Sequence, residues 1–274
     1  MTRIVLVRHG RTAWNVERRV QGSSDIPLDD TGRAQAATAG ALLAEAVRGG
    51  PGWDAVHASP LGRAFETASI IVEHLALGGS PSAGPRPEPA LAERRYGLAE
   101  GLTHSEIEAR FPDGDVPGRE TVESVTERAG GALLRLAEEH PGGSLVVVSH
   151  GGVIAALARS LDASLTGRPG PMIENGSAHT FGVVDGTLSL LRFGGVAEPR
   201  GLRAVVGRPP RLTRRRARGR PGPSSDARPA RPSADADPGG SSAGPTARGQ
   251  AAGFRARATC SSRSSSAAAE RSQS

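Results

Sequence analysis

Residues 3–7 read RIVLV, a short apolar run rich in β-branched side chains, and the run stops at the polar Arg8-His9-Gly10. That length and composition predict a strand buried on both faces, as in a parallel sheet. The signature returns at 55–58 (AVHA), broken by Ser59-Pro60, and most strongly at 144–149 (SLVVVS), which runs into His150-Gly151-Gly152. Between these runs the apolar spacing is helical. One helix is predicted from near Thr31, carrying Ala34, Ala37, Leu42, Leu43 and Ala46. A second spans 61–77, with Leu61, Ala64, Ala68, Ile71 and Leu75 in phase. Residues 121–139 give an amphipathic helix with Val125, Leu133, Leu136 and Ala137 on one side, and 153–161 another directly after the third strand. Thr103, followed three positions on by Glu106, is a capping box that opens a short helix to about Phe111. Residues 78–89 form a Gly/Pro/Ser connector and 91–101 a loop. Near the end, 179–184 and 187–193 flank Asp185-Gly186, the pattern of a hairpin. Strands alternating with helices specify an α/β layered fold with a largely parallel sheet.

Charge divides the chain in two. The formal net charge of +6 averages residues 1–198, with 18 arginines against 24 carboxylates, and residues 199–274, with 16 arginines against 4; lysine is absent. In the second segment only five residues are Leu, Val or Phe. Such a segment cannot bury enough apolar surface to offset its ordering entropy, so a folded domain over 1–198 and a disordered tail over 199–274 are expected. The run Arg214-Arg215-Arg216-Ala217-Arg218-Gly219-Arg220 could neutralise phosphates. No aromatic side chains are interleaved to stack bases, which favours a solvated extension over a nucleic-acid-binding element. An Arg/Ala/Pro/Gly/Ser mixture is also what GC-rich DNA encodes in a wrong reading frame. Aromatics are only 3% of the chain, so the core must be Leu, Val, Ile and Ala. One cysteine, Cys260, excludes a disulfide scaffold and a Cys-based zinc site. No apolar run approaches the roughly 18 residues of a membrane helix, and the start is too short for a signal peptide. A soluble cytoplasmic protein is expected.

In open α/β sheets the site lies beyond the carboxyl ends of the strands. Three predicted strands end there in Arg8-His9-Gly10, Ser59-Pro60-Leu61-x-Arg63 and His150-Gly151-Gly152, so two histidines and two arginines converge on one rim. Two guanidiniums can hold a tetrahedral phosphate through charge-assisted hydrogen bonds. The glycines let backbone amides approach, and the helix after Gly151 turns its positive end the same way. An imidazole in that cage is a candidate nucleophile toward phosphorus, and Glu93 a candidate acid for the leaving oxygen. No cluster has metal-ligand spacing. Singly these features are bland: Arg-His-Gly is a common tripeptide, Glu93 could be a surface carboxylate, and Arg94-Arg95 a solvated pair. His57, His74, His104, His140 and His179 read as structural or solvated. The conjunction and order of the motifs carry the inference.

Arg8-His9-Gly10-x-Thr12-x-Trp14-Asn15, Gln21-Gly22, Ser59-Pro60-Leu61-x-Arg63-x-x-x-Thr67-Ala68, Leu91-x-Glu93 and Ser149-His150-Gly151-Gly152 together resemble the histidine phosphatase superfamily, the phosphoglycerate mutase-like group, over about residues 3–193. The resemblance implies a three-layer α/β/α sandwich. It implies that His9 becomes a phosphohistidine, that Arg8, Arg63 and His150 bind the transferred phosphoryl group, and that Asn15 and the Gly151 amide assist. Glu93 would protonate the leaving oxygen and then activate water, with the Gln21-Gly22 loop beside the substrate. No metal or other cofactor is implied, and the expected partner is a small phosphomonoester. Cations around His9 should lower its pKa.

The family holds hydrolases and mutases. Glu93-Arg94-Arg95-Tyr96-Gly97 resembles a mutase segment that holds phosphoglycerate, whereas Ala99 stands where many phosphatases of the family carry Trp. Only 48 residues separate Gly101 from His150, too few for the long mutase insertion. Gly118-Arg119-Glu120 is close to a phosphatase motif. A short lid leaves a phosphohistidine open to water, which favours a phosphatase. The alternatives are a cofactor-dependent phosphoglycerate mutase and a non-catalytic binding protein on the same scaffold. Arg19, Gln21, Arg94, Arg95, Tyr96 and segment 102–120 are the expected specificity elements, suited to an anionic substrate such as a sugar phosphate or phosphoglycerate.

Overall fold

A computed structural model describes residues 1–48, 50–77, 84–165 and 173–194. The basic tail and its expected disorder lie outside the described residues, as does most of the Gly/Pro/Ser connector. The elements run β1 (Thr2–Arg8), α1 (Ala13–Val16), α2 (Asp30–Glu45), β2 (Ala55–Ala58), α3 (Gly62–Leu77), β3 (Arg86–Pro87), α4 (His104–Arg110), α5 (Val122–Glu139), β4 (Ser144–Ser149), α6 (Gly151–Leu161), β5 (Ala178–Val184) and β6 (Thr187–Arg192).

The six strands form one sheet in the order β3-β2-β4-β1-β5-β6. The first four are mutually parallel, and the β5–β6 hairpin adds antiparallel to β1. β1 shows why its sequence is a continuous apolar run. Ile4 and Leu6 enter a core with α5 and α6 side chains, while Val5 and Val7 enter a separate core with α2 and α3. Both faces are covered, so alternation would serve nothing. The result is the expected three-layer α/β/α sandwich.

Register is what builds the site. Arg8 pairs with Ser149 and Ala58 with Val148, so the three strands end level. The His9 N–H donates to Ser149 O at 3.0 Å, and the Ser59 N–H to Val148 O at 2.9 Å. Segments 8–10, 59–63 and 149–152 therefore share one edge. Gly10 packs backbone to backbone against the start of α2, where an added Cβ would lie 2.2 Å from Gly32 O. Asp29 caps that helix by accepting from the Gly32 N–H.

Two local expectations are corrected. α2 buries Gly32, Ala36, Ala39, Gly40 and Leu43, whereas Ala34, Ala37, Leu42 and Ala46 lie off the buried seam, Leu42 being 60% exposed. An alanine-rich helix has little hydrophobic contrast, and here its smallest residues face α3, with Gly40 against His74. β3 is a two-residue edge strand inside the Pro-rich connector, too short to leave a pattern. α1 is a single turn held by a Thr12–Asn15 capping box. The Thr103–Glu106 box opens α4 as expected. The hairpin turns on Asp185 and Gly186, both at positive φ (48° and 68°), as a tight β-turn requires. No described helix is long and apolar enough to cross a membrane.

Candidate active site

A cavity of about 340 Å³ opens beyond the strand ends, lined by Arg8, His9, Arg63, Glu93 and Gly151 among others. His9 is 2% exposed, and its Nδ1 lies 2.7 Å from Gly10 O. A carbonyl oxygen can only accept, so the ring proton sits on Nδ1 and Nε2 carries the free lone pair. His150 is fully buried, its ring centroid 5.2 Å from that of His9. Its Nε2 lies 2.7 Å from Ser59 Oγ, which also accepts the Leu61 N–H. That buried hydroxyl needs an acceptor for its own hydrogen, and Nε2 is the one beside it. The His150 proton then sits on Nδ1, a donor opposite in kind to the lone pair of His9. Burial drives the pKa of both rings well below 6.5, and Arg8 and Arg63 push the same way. Both imidazoles are neutral at pH 7.

Arg63 is fully buried, and donates through Nη1 to Ser24 O (2.7 Å) and through Nη2 to Gly22 O (2.8 Å). Arg8 is anchored through Nη1 on Ile173 O. Arg8 Nε, Arg63 Nε and His150 Nδ1 are buried without a hydrogen-bond partner. Three unsatisfied donors on three neighbouring cationic or polar groups are expensive unless an anion completes them. Asn15 Oδ1 accepts from Thr12 N–H, Thr12 Oγ1 and Asn175 Nδ2, which leaves the Asn15 NH₂ group for a ligand.

Glu93 faces this cage from the segment after β3. Its Oε1 accepts the Arg94 N–H (2.8 Å) and its Oε2 the Gly152 N–H (3.3 Å). Burial nevertheless raises its pKa above the ordinary carboxylate value, against the pull of those N–H groups, Arg63 and Arg8. The loop is clamped from below by Arg128 of α5, which donates to Ala90 O, Ala92 O and Glu93 O. Arg128 also makes a two-point pair with the buried Glu120 (2.8 and 3.0 Å), which holds the Glu120 pKa down at about 2. A carboxyl whose burial favours its protonated form, beside a neutral imidazole and buried guanidiniums, can supply a proton to an oxygen leaving phosphorus. Among the described residues no group of three His, Cys, Asp or Glu side chains forms a metal site.

The remaining expected residues divide. Gln21, Tyr96, Arg19 and Gly151 line the cavity. Burial and the nearby Glu93 raise the Tyr96 pKa, so its hydroxyl keeps its proton. Arg19 is committed to Glu17, Glu106 and Gly101 O. Gly22 contributes its carbonyl to Arg63 rather than a surface to the cavity. Arg94 and Arg95 do not line it. The Arg94 guanidinium bonds Glu120 O and lies 5.5 Å over the Tyr96 ring, in a second cavity, while Arg95 is exposed. The backbone leaves the extended conformation at Tyr96 (φ −103°, ψ 0°), which turns the Tyr96 side chain, like that of Glu93, onto the cavity. Ala99 is fully buried with Ile107 and Val116, so α4 and the following loop fill the space beside the acid segment.

Ser59, Glu120, Arg128, Asn175 and Arg159 act here without having been singled out for these roles. Arg159 had a readable signal, since Gly151, Ala155 and Arg159 share one face of α6 at a spacing of four and all line the cavity. Asn175-Gly176 marks a turn, but nothing local says that Asn175 reaches back to His9 O.

The histidine phosphatase superfamily (branch 1) matches residues 4–194 of the chain. The chain is 40% identical over 158 residues to an uncharacterized phosphatase, PhoE, of Bacillus subtilis, covering 57% of this chain and 76% of that one. It is 36% identical over 195 residues to phosphoglycerate mutase-like protein 4 of Arabidopsis thaliana, covering 67% and 80%. Among solved structures, Bacillus stearothermophilus YhfR aligns with a TM-score of 0.60 at 30% identity, over 72% of this chain and 98% of that one.

Proposed function

The chain belongs to branch 1 of the histidine phosphatase superfamily, and from that premise we propose that it hydrolyses small phosphomonoesters through a phosphohistidine on His9, without a metal. The observation that carries this reading is the pairing of one free lone pair, on His9 Nε2, with three unpartnered buried donors, on Arg8, Arg63 and His150. The donors hold the phosphoryl oxygens. Nε2 attacks phosphorus, the P–O bond to the alcohol breaks, and Glu93 gives its proton to the departing oxygen. The Glu93 carboxylate then takes a proton from water as that water attacks phosphorus. The P–N bond breaks, its electron pair returns to Nε2, and phosphate leaves. Asn15 and the Gly151 amide contribute donors to the phosphoryl group, and Gln21 and Tyr96 border the alcohol.

Hydrolysis rather than mutase chemistry is supported by the short segment over the site, in which α4 is the only α-helix between Gly101 and α5. The test is phosphate release from p-nitrophenyl phosphate in EDTA by the full chain and by His9→Ala. Release lost in the variant supports the reading. No release by wild type, with interconversion of 3- and 2-phosphoglycerate once a trace of 2,3-bisphosphoglycerate is added, would replace it with a mutase.

A further inference from the structure

Val20 and Tyr96 have a cavity on each side. One holds the histidines. The other, about 350 Å³, is walled by Ile107 and Phe111 and carries Arg94 and Arg119. Neither guanidinium has a carboxylate partner among the described residues. Arg94 Nε donates to Glu120 O, and Arg119 Nη1 reaches only Gly114 O at 3.3 Å. Arg119 Nε is buried with no partner. Both charges converge on Tyr96, where they favour its ionised form against burial. The facing groups are Glu108 and His104, which lie 3.5 Å from each other at the exposed rim. Two guanidiniums thus confront one carboxylate, over an apolar surface.

A half-buried cation with spare donors beside apolar side chains is completed by an anion that brings its own apolar body. The space suffices, since a cavity of about 150 Å³ holds benzene. We propose that this cavity is a second binding site, for a small organic anion: a carboxylate or phosphate between Arg94 and Arg119, and a ring or short chain against Ile107 and Phe111. That chemistry can arrive as the distal end of a phosphoester extending past Tyr96 or as a separate effector. The site itself does not depend on the hydrolase reading.

The test titrates the ¹⁵N-labelled full chain with benzoate, and with benzamide as the neutral control, with and without saturating orthovanadate in the His9 cavity. Saturable benzoate shifts at residues 104–119 that survive vanadate are expected. Benzamide should give none, Arg119→Gln should weaken binding about fivefold or more, and Arg119→Lys should restore most of it. Shifts abolished by vanadate, or unaffected by Arg119→Gln, overturn the site. Retained vanadate binding certifies that the variant is folded; if Arg119→Gln lacks it, Phe111→Ala carries the same comparison. A second arm compares kcat/KM for 4-carboxyphenyl phosphate and phenyl phosphate. A ratio that falls in Arg119→Gln assigns the site to the distal end of the substrate, and an unchanged ratio with benzoate still bound assigns it to an effector. Turnover of neither ester defeats the hydrolase reading while the binding arm still decides the site.

Discussion

Glu93 accepts the backbone N–H of Gly152 at 3.3 Å, so the candidate acid is tied to the first turn of the helix that follows His150. Only glycine leaves room for this. A Cβ at 152 would lie 2.5 Å from Glu93 Oε1 and 2.9 Å from the Tyr96 hydroxyl. Gly152→Ala should displace the carboxylate and lower kcat/KM for an alkyl phosphate by about 10²-fold, the lower end of general-acid contributions. Vanadate affinity, which reports the donors around His9, should change by only a few fold. Kinetics and vanadate titration on one preparation check the split.

The two ends of the proton transfer respond oppositely to pH. Glu93 serves the first step only while protonated, so kcat/KM for alkyl phosphates should fall as pH rises through its raised pKa. The His9 pKa lies well below 6.5, so acidifying from pH 7 to 6 does not withdraw the nucleophile. The alkaline limb therefore belongs to Glu93, and His9 imposes no acid limb between pH 7 and 6. Glu93→Gln should lose about 10²–10⁴-fold on an alkyl phosphate, together with the alkaline limb. The loss in kcat/KM on p-nitrophenyl phosphate should be much smaller, because its leaving group departs without a proton, whereas kcat, which includes water attack, falls for both esters. Profiles of both esters that are unchanged in the variant would refute the role.

Arg128 lines neither cavity, yet three carbonyls of the acid loop and the Glu120 carboxylate depend on it. Arg128→Ala leaves Glu120 buried and unpaired, and should destabilise the fold by about 3–5 kcal/mol. The Glu120 pKa is lowered in the folded protein, from 4.5 to about 2. Its stabilisation, about 3 kcal/mol, is therefore complete above pH 4.5 and is lost as pH falls from there toward 2. Denaturant melts at pH 7 and pH 3 should show that loss in wild type and not in the variant.

Arg18 holds a φ of +56°, beside the segment that carries Arg19 and Gln21 into the cavity. The left-handed region disfavours every residue with a Cβ by roughly 1–2 kcal/mol. Arg18→Gly should raise stability by about 1 kcal/mol, a Tm increase of about 2–4 °C by thermal unfolding.

Strand ends were the most legible part of the sequence. RIVLV and SLVVVS are buried on both faces, and each stops where its polar residues must leave the sheet, which set Arg8, His9 and His150 on one rim. Contrast was missing in α2, where alanine lines every side and packing against α3 selects the glycine-bearing one. Arg94 and Arg95 fall outside the histidine cavity, which the sequence does not show because charge type says nothing about which way a side chain leaves its segment. Ser59 and Arg128 act through contacts 91 and 35 to 38 residues away in sequence. No local pattern encodes such pairs; the fold brings them together.

The most direct measurement is rapid quenching of the full chain with ³²P-labelled phosphomonoester in EDTA, followed by assay for acid-labile, alkali-stable protein-bound phosphate. A phosphoenzyme formed and discharged at least as fast as turnover, mapped to His9 and absent in His9→Ala, is the result expected. Turnover without such an intermediate, or a phosphoenzyme that persists in His9→Ala, would contradict the account.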